Sequence, residues 1–213
     1  MKSLARNLFT GLFMLTLTIF QIAAADQRPS KNPLFFYIFV HDDIAPKDRS
    51  NLHKNHFEWL QKDLESFTGR RVRLQFIENT APWTNFRYQG DDLNKTLSDW
   101  TKLASQYRSG HNLPVNGLGK YLLLTQNRLN SYTGGVAGFN HHAGIASTTS
   151  YPAPAHELGH MLGGTHEAAE VIFKDGWWCE TNIVAVRNPL RANCYVFSDM
   201  NKQQITARLS EWP

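Results

Sequence analysis

The sequence predicts an α+β fold in which helices cover a mixed, mostly parallel sheet. Apolar runs of strand length alternate with segments of helical periodicity over residues 34–124, and that rhythm gives way to a glycine-bearing stretch over residues 131–147. The composition adds a third observation. With 213 residues, 42% hydrophobic and 12% aromatic, and 2 Cys, the chain resembles one globular domain held by burial, which excludes a disordered chain and a cysteine-dense scaffold.

Each element follows from its residues. Leu34–Val40 is an unbroken apolar run, as a strand buried on both faces requires. Asp48 or Ser50 is then placed to cap a helix carrying Leu52, Phe57, Leu60, Leu64 and Phe67 near one face and ending at Gly69. Val72–Ile77 mostly alternates, as a half-buried strand does. Leu93, Leu97, Trp100, Ala104 and Tyr107 mark a second helix, and residues 121–124 a second buried strand. Two crossover units of this length make a parallel sheet. Residues 131–139 and 143–147 then read as short glycine-bearing strands joined by a turn through Asn140, His141 and His142. Such strands let another backbone approach closely, which suits an edge strand that pairs with an extended peptide and makes Gly138, His141, His142 and Ala143 candidate substrate contacts. Ile205, Leu209 and Trp212 have helical spacing and predict a terminal helix.

Residues 1–25 are set apart from this plan. Lys2 and Arg6 precede an apolar run over residues 8–22, and Ala23, Ala24 and Ala25 precede Asp26, the layout of a signal peptide cleaved after Ala25. The run is shorter than the roughly 20 residues of a spanning helix, and no later stretch is long and apolar enough to span, so no stable membrane insertion is expected. The mature protein, residues 26–213, is expected to be secreted or periplasmic. An oxidising compartment allows Cys179 and Cys194 to pair, closing a short loop at a gain of about 3 kcal/mol; a thiolate metal pair lacks the CxxC spacing. Net charge is +4, from 22 Lys+Arg against 18 Asp+Glu. Removing Lys2 and Arg6 leaves 20 against 18, and the rest are scattered, which argues against a nucleic-acid partner.

Residues 156–166 read HELGHMLGGTH, the pattern HExxHxxGxxH. On a helix, His156 and His160 share a face and can ligate one ion, while Glu157 leans toward the same space. Gly163 can adopt a left-handed conformation that ends the helix and lets His166 return as third ligand. Three neutral imidazoles on one Zn2+ leave a position for water, the pattern of a catalytic site. Glu157 is then the general acid/base for attack on a carbonyl.

With this motif the chain resembles the metzincin clan of zinc metallopeptidases, whose extended motif is followed by a methionine turn. The matching candidate is Met200. The resemblance implies a five-stranded twisted sheet with two backing helices and an active-site helix over residues 26–166, a small C-terminal subdomain over 167–213, and a hydrophobic base formed by Met200 beneath the histidines. It also implies a protein or peptide substrate lying extended along an edge strand near residues 136–147. Glu167 after His166 is similar to the astacins, but Lys202 stands where astacins and serralysins carry a tyrosine. The oxyanion donor is therefore unassigned among Tyr195, Tyr132 and Lys202. Only residues 26–33 separate the expected cleavage site from the first strand, so no propeptide is expected, and control would fall to location, metal supply, a separate inhibitor or narrow substrate choice. A monomer is expected.

Other features carry weaker readings. Trp177 and Trp178 beside Cys179 are either core residues or a wall of the cleft, and Tyr195 is a further candidate contact. His53 and His56 lack a convergent carboxylate and read as surface or packing residues. His41, Asp42 and Asp43 at a strand end have a cation-binding composition without an assigned role. Two other functions fit less well: a docking module that keeps the metal scaffold with little turnover has no need of Glu157, and a zinc amidase would act on a non-protein amide by the same chemistry.

Overall fold

A computed structural model describes residues 31–213, so the expected signal peptide lies outside the described residues. Strand β1 (Leu34–Val40) leads into a short helix α1 (Pro46–Arg49), a π-helical turn (His53–Phe57) and helix α2 (Glu58–Thr68). The expected caps differ here. Pro46 starts the chain's first helix early, Asp48 lies inside it, Ser50 follows it, and α2 begins without a side-chain cap. Gly69, at φ 65°, ends α2 as its position predicts.

Strand β2 (Val72–Ile77) precedes helix α3 (Leu93–Gly110), whose first turn is capped by Asp92 accepting from the Lys95 N–H. Strands β3 (Gly119–Thr125), β4 (Gly135–Ala137) and β5 (Ala143–Ser147) complete the main sheet. Its order is β2-β1-β3-β5-β4, all parallel except the β4–β5 pair. The result is a mixed α/β fold on a mostly parallel five-stranded sheet.

The unbroken apolar run of β1 is explained by its two faces. Leu34, Phe36, Ile38 and Val40 join Leu60 and Leu64 of α2 in one buried cluster, while Tyr37 and Phe39 join Trp100, Ala104 and Tyr107 of α3 in another. Helix α4 (Ala153–Met161) and helix α5 (Asp199–Leu209) lie on the α2 side, contributing Leu158, Met161, Ile205 and Leu209 to its core. At the C-terminal end of β1, Asp43 accepts from the Tyr88 hydroxyl and the Gln126 N–H and lies 2.7 Å from His41 Nδ1. That carboxylate is thus committed to fastening loops.

Between α4 and α5 lies a second sheet absent from the expectations: β6 (Val171–Lys174), β7 (Trp177–Glu180) and β8 (Ala192–Asn193), in the order β6-β7-β8. Asp175 and Gly176, both at positive φ, form the two-residue β6–β7 turn. Cys179 is disulfide-bonded to Cys194, joining β7 to the segment after β8. Among the described residues no helix is long and apolar enough to cross a membrane.

Candidate metal centre

Helix α4 places His156 and His160 four residues apart on one face, and Gly163, at φ 101°, turns the chain back toward them. The three imidazole Nε2 atoms of His156, His160 and His166 then stand 3.0–3.1 Å from one another. Backbone carbonyls fix two of the rings: His156 Nδ1 lies 3.1 Å from Asn182 O and His160 Nδ1 lies 2.9 Å from Gly164 O. Each of those Nδ1 atoms must donate, which leaves Nε2 as a bare lone pair. Lone pairs facing one another repel, so the arrangement is satisfied by a shared cation, and the three histidines could hold a metal ion. Burial, and then the neighbouring histidines, push His156 down to about 3, which keeps it neutral as a ligand must be.

Glu157 is 7% exposed and burial pushes its carboxyl up to about 8. Its place is set by β4. A Cβ on Gly135 would lie 2.5 Å from Glu157 Oε1 and 2.8 Å from its Cγ, so the strand can pass over the carboxylate only because residue 135 has no side chain. Sequence reading marked the glycines of this stretch but not this contact.

The third ligand is positioned from α5. Asn201 is fully buried, accepts from the Thr165 N–H at 2.8 Å and donates to Thr165 O at 3.2 Å, clamping the residue before His166. Met200 does not form a base beneath the histidines. It is 51% exposed on the first turn of α5, because the inward stripe of that helix is Asn201, Ile205 and Leu209, four apart, and Met200 falls one position off it. Ile183 and Phe197 pack against α4 at Gly159, reaching within 2.6 and 2.7 Å of where a Gly159 Cβ would be. Nothing in their spacing marks them out in advance.

Two concavities flank the triad. One, of about 390 Å3, is lined by Gly134 and Gly135, by His156, Glu157 and His166, and by Arg187 from the loop after β7. The other is formed around Phe139, His160, His166 and Glu167. Strand β4 runs from the first toward the second and, among the described residues, pairs only with β5 and leaves its other edge open. A larger cavity of about 500 Å3, around Lys31, Arg70 and Leu209, shares no residue with the triad.

None of the expected substrate contacts Gly138, His141, His142, Ala143, Tyr195 and Trp177 lines either of the two concavities at the triad. Ala143 is fully buried in β5, which is an interior strand, so the open edge is β4 alone. His142 faces α3, its Nε2 3.0 Å from Ser105 Oγ, and burial followed by its cationic neighbours drives it down to about 4. His141 packs against Gly138, where a Cβ would lie 2.7 Å from its own. Tyr195 meets Trp59 of α2 edge-on at 5.0 Å, and Lys202 Nζ lies 3.7 Å from Asp63 Oδ1 of α2. Neither residue lines a concavity at the triad, whereas Tyr132 does. Trp177 and Trp178 are 74% and 62% exposed, so they are not core, and neither lines the two concavities at the triad. The β6–β7 hairpin projects them outward, with Trp178 beside Phe173 at 5.4 Å. His56 is buried with Nδ1 3.2 Å from Tyr151 O and His53 lies near Gln61, consistent with packing and surface positions.

The reading missed Lys120. Buried in β3, its Nζ donates to His141 O at 3.1 Å and Met161 O at 2.7 Å, tying the end of α4 to the loop after β4. Burial brings its ammonium down to about 7. No protein-family model matches the chain, and no curated protein matches it.

Proposed function

We propose that the protein is a zinc-dependent metalloendopeptidase of the metzincin kind, acting on extended protein or peptide substrates after export. The observation that carries this reading is the convergence of three Nε2 atoms with a buried carboxylate beneath an open strand edge. The donor set fits zinc: three neutral imidazoles, two of them oriented by backbone carbonyls. When bound, zinc supplies Lewis acidity toward a carbonyl oxygen and a water molecule.

The remaining work falls to the chain. The open edge of β4 pairs with the substrate backbone; antiparallel pairing, the commoner kind, runs the substrate from the Phe139 side toward the Gly135 side. Glu157 takes the proton of the attacking water on a carboxylate oxygen and delivers it to the departing amine. Among the described residues that carboxylate makes no hydrogen bond, so it is free to do so, and Gly135 holds it in place by leaving room for nothing else.

The test is metal content together with cleavage of an unbiased peptide library by wild type and Glu157→Gln. Both proteins should hold about one zinc per chain, and the variant should lose on the order of 10³-fold in turnover. Zinc bound by both with no cleavage by either would overturn the assignment.

A further inference from the structure

The concavity on the Gly135 side of the triad is lined by two arginines, Arg187 half-buried and Arg128 exposed. Arg187 reaches it from the loop after β7 and Arg128 from the loop before β4. Their counter-charges are largely spent. The nearest carboxylate to Arg187, Glu180, lies 3.8 Å away, is almost fully buried, accepts one bifurcated hydrogen bond from the Asn188 N–H across both oxygens and is shared with Arg191 at 3.7 Å. Among the described residues neither Arg128 nor Arg187 makes a side-chain hydrogen bond, and Arg128 has no ion-pair partner. Glu157 is the one acidic residue in the lining, and it belongs to the proton transfer described above. The start of α4 also lines the concavity, and its first turn carries no acidic residue.

A half-buried guanidinium with free donors in a walled cavity is matched by a planar carboxylate, which it binds bidentately. We propose that this concavity recognises a substrate carboxylate within the first two residues after the bond to be cut, with Arg187 as the principal contact and Arg128 as the second. The direction follows from antiparallel pairing with β4, which brings the residue on the leaving-amine side to the Gly135 end. This inference rests on the metallopeptidase reading for the position of the cut, but the cationic lining is independent of it. The carboxylate is either the side chain of Asp or Glu or the terminal carboxylate of a short leaving peptide.

Two arms separate those sources and a third separates this proposal from the function itself. In the first, zinc-loaded wild type is given C-terminally amidated peptides differing only in Asp or Glu against Asn or Gln after the cut. In the second, the leaving fragment is a dipeptide with a free or amidated end. A preference of at least about tenfold in either arm supports the proposal, since charge-assisted bidentate pairing is worth that much. The preference should fall sharply in Arg187→Gln and reverse toward Lys in the double variant Arg187→Gln, Arg128→Glu, an inversion that misfolding cannot mimic. Equal rates for acid and amide in both arms overturn it and leave the peptidase reading intact. In the third, calorimetry measures binding of the same peptides to zinc-loaded Glu157→Gln. If wild type cuts nothing, the peptidase reading fails, and this arm still decides the pocket: tighter binding of the acid, lost in an added Arg187→Gln change, supports it, and equal binding overturns it.

Discussion

The main sheet and the small sheet below the triad solve the same problem by different means. Around β1 and β3, Phe36, Phe39, Trp100, Leu122 and Leu124 are at or near zero exposure, and burial on two faces holds the strands. Around β7 the large apolar side chains point outward, Trp177 and Trp178 among them, and the segment is fastened by the Cys179–Cys194 bond, by Glu180 and by the Asp63 carboxylate accepting from the Phe197 N–H. The site straddles both. Its helix and Glu157 stand on the buried half, while Asn182 O and Arg187 come from the stapled half, so ligand geometry depends on a region with little core of its own.

That contrast can be broken most forcefully with paired tryptophans. Trp100→Ala should cost about 3–5 kcal/mol in chemical unfolding, whereas Trp177→Ala should stay within about 0.5 kcal/mol; a comparable loss for Trp177 would mean the hairpin is packed after all. Replacing both Cys179 and Cys194 by Ser should cost about 3 kcal/mol by loop closure. Hydrogen exchange should then rise over residues 171–196 and remain slow in β1 and β3; uniform loosening would merge the two halves. Asn201→Ala should weaken zinc binding about 10–100-fold, read by chelator competition, while the unclamped His156 and His160 keep their carbonyl partners.

The smallest effect sharpens the comparison from the buried side. Lys120 has a folded pKa of about 7, below its ordinary value of 10.5. Between those values the unfolded chain binds a proton that the folded one does not, so this group makes stability rise with pH from about 7 to 10.5 and contributes no slope below that window. Lys120→Met should flatten that rise relative to wild type in a series of melting temperatures; identical slopes would show that the ammonium stays charged in place.

How much of this was legible beforehand follows the same division. Strands and helices of the upper half write themselves as periodicity, because each face must be apolar at fixed intervals, and the four residues His156, Glu157, His160 and His166 are close in sequence, so a local motif carries them. The small sheet has strands of two to four residues with exposed aromatics, a length at which alternation says nothing. The inward or outward place of Met200 is not legible in sequence, because a one-residue shift on a helix turns a side chain by about 100°, and the stripe of Asn201, Ile205 and Leu209 fixes the phase. Arg187 reaches the site, and Lys120 the end of α4, across sequence separations that no pattern encodes.

The bare position at Gly135 has a consequence for transplantation. The Glu157 carboxylate, the proposed proton carrier, is held by a strand 22 residues upstream of it, so copying residues 156–166 into another helix would carry the three histidines and leave the orientation of Glu157 behind. A library that varied residue 135 alongside the eleven copied positions would recover only backgrounds with glycine there, and that one requirement would separate sequences that merely hold an ion from those able to turn over.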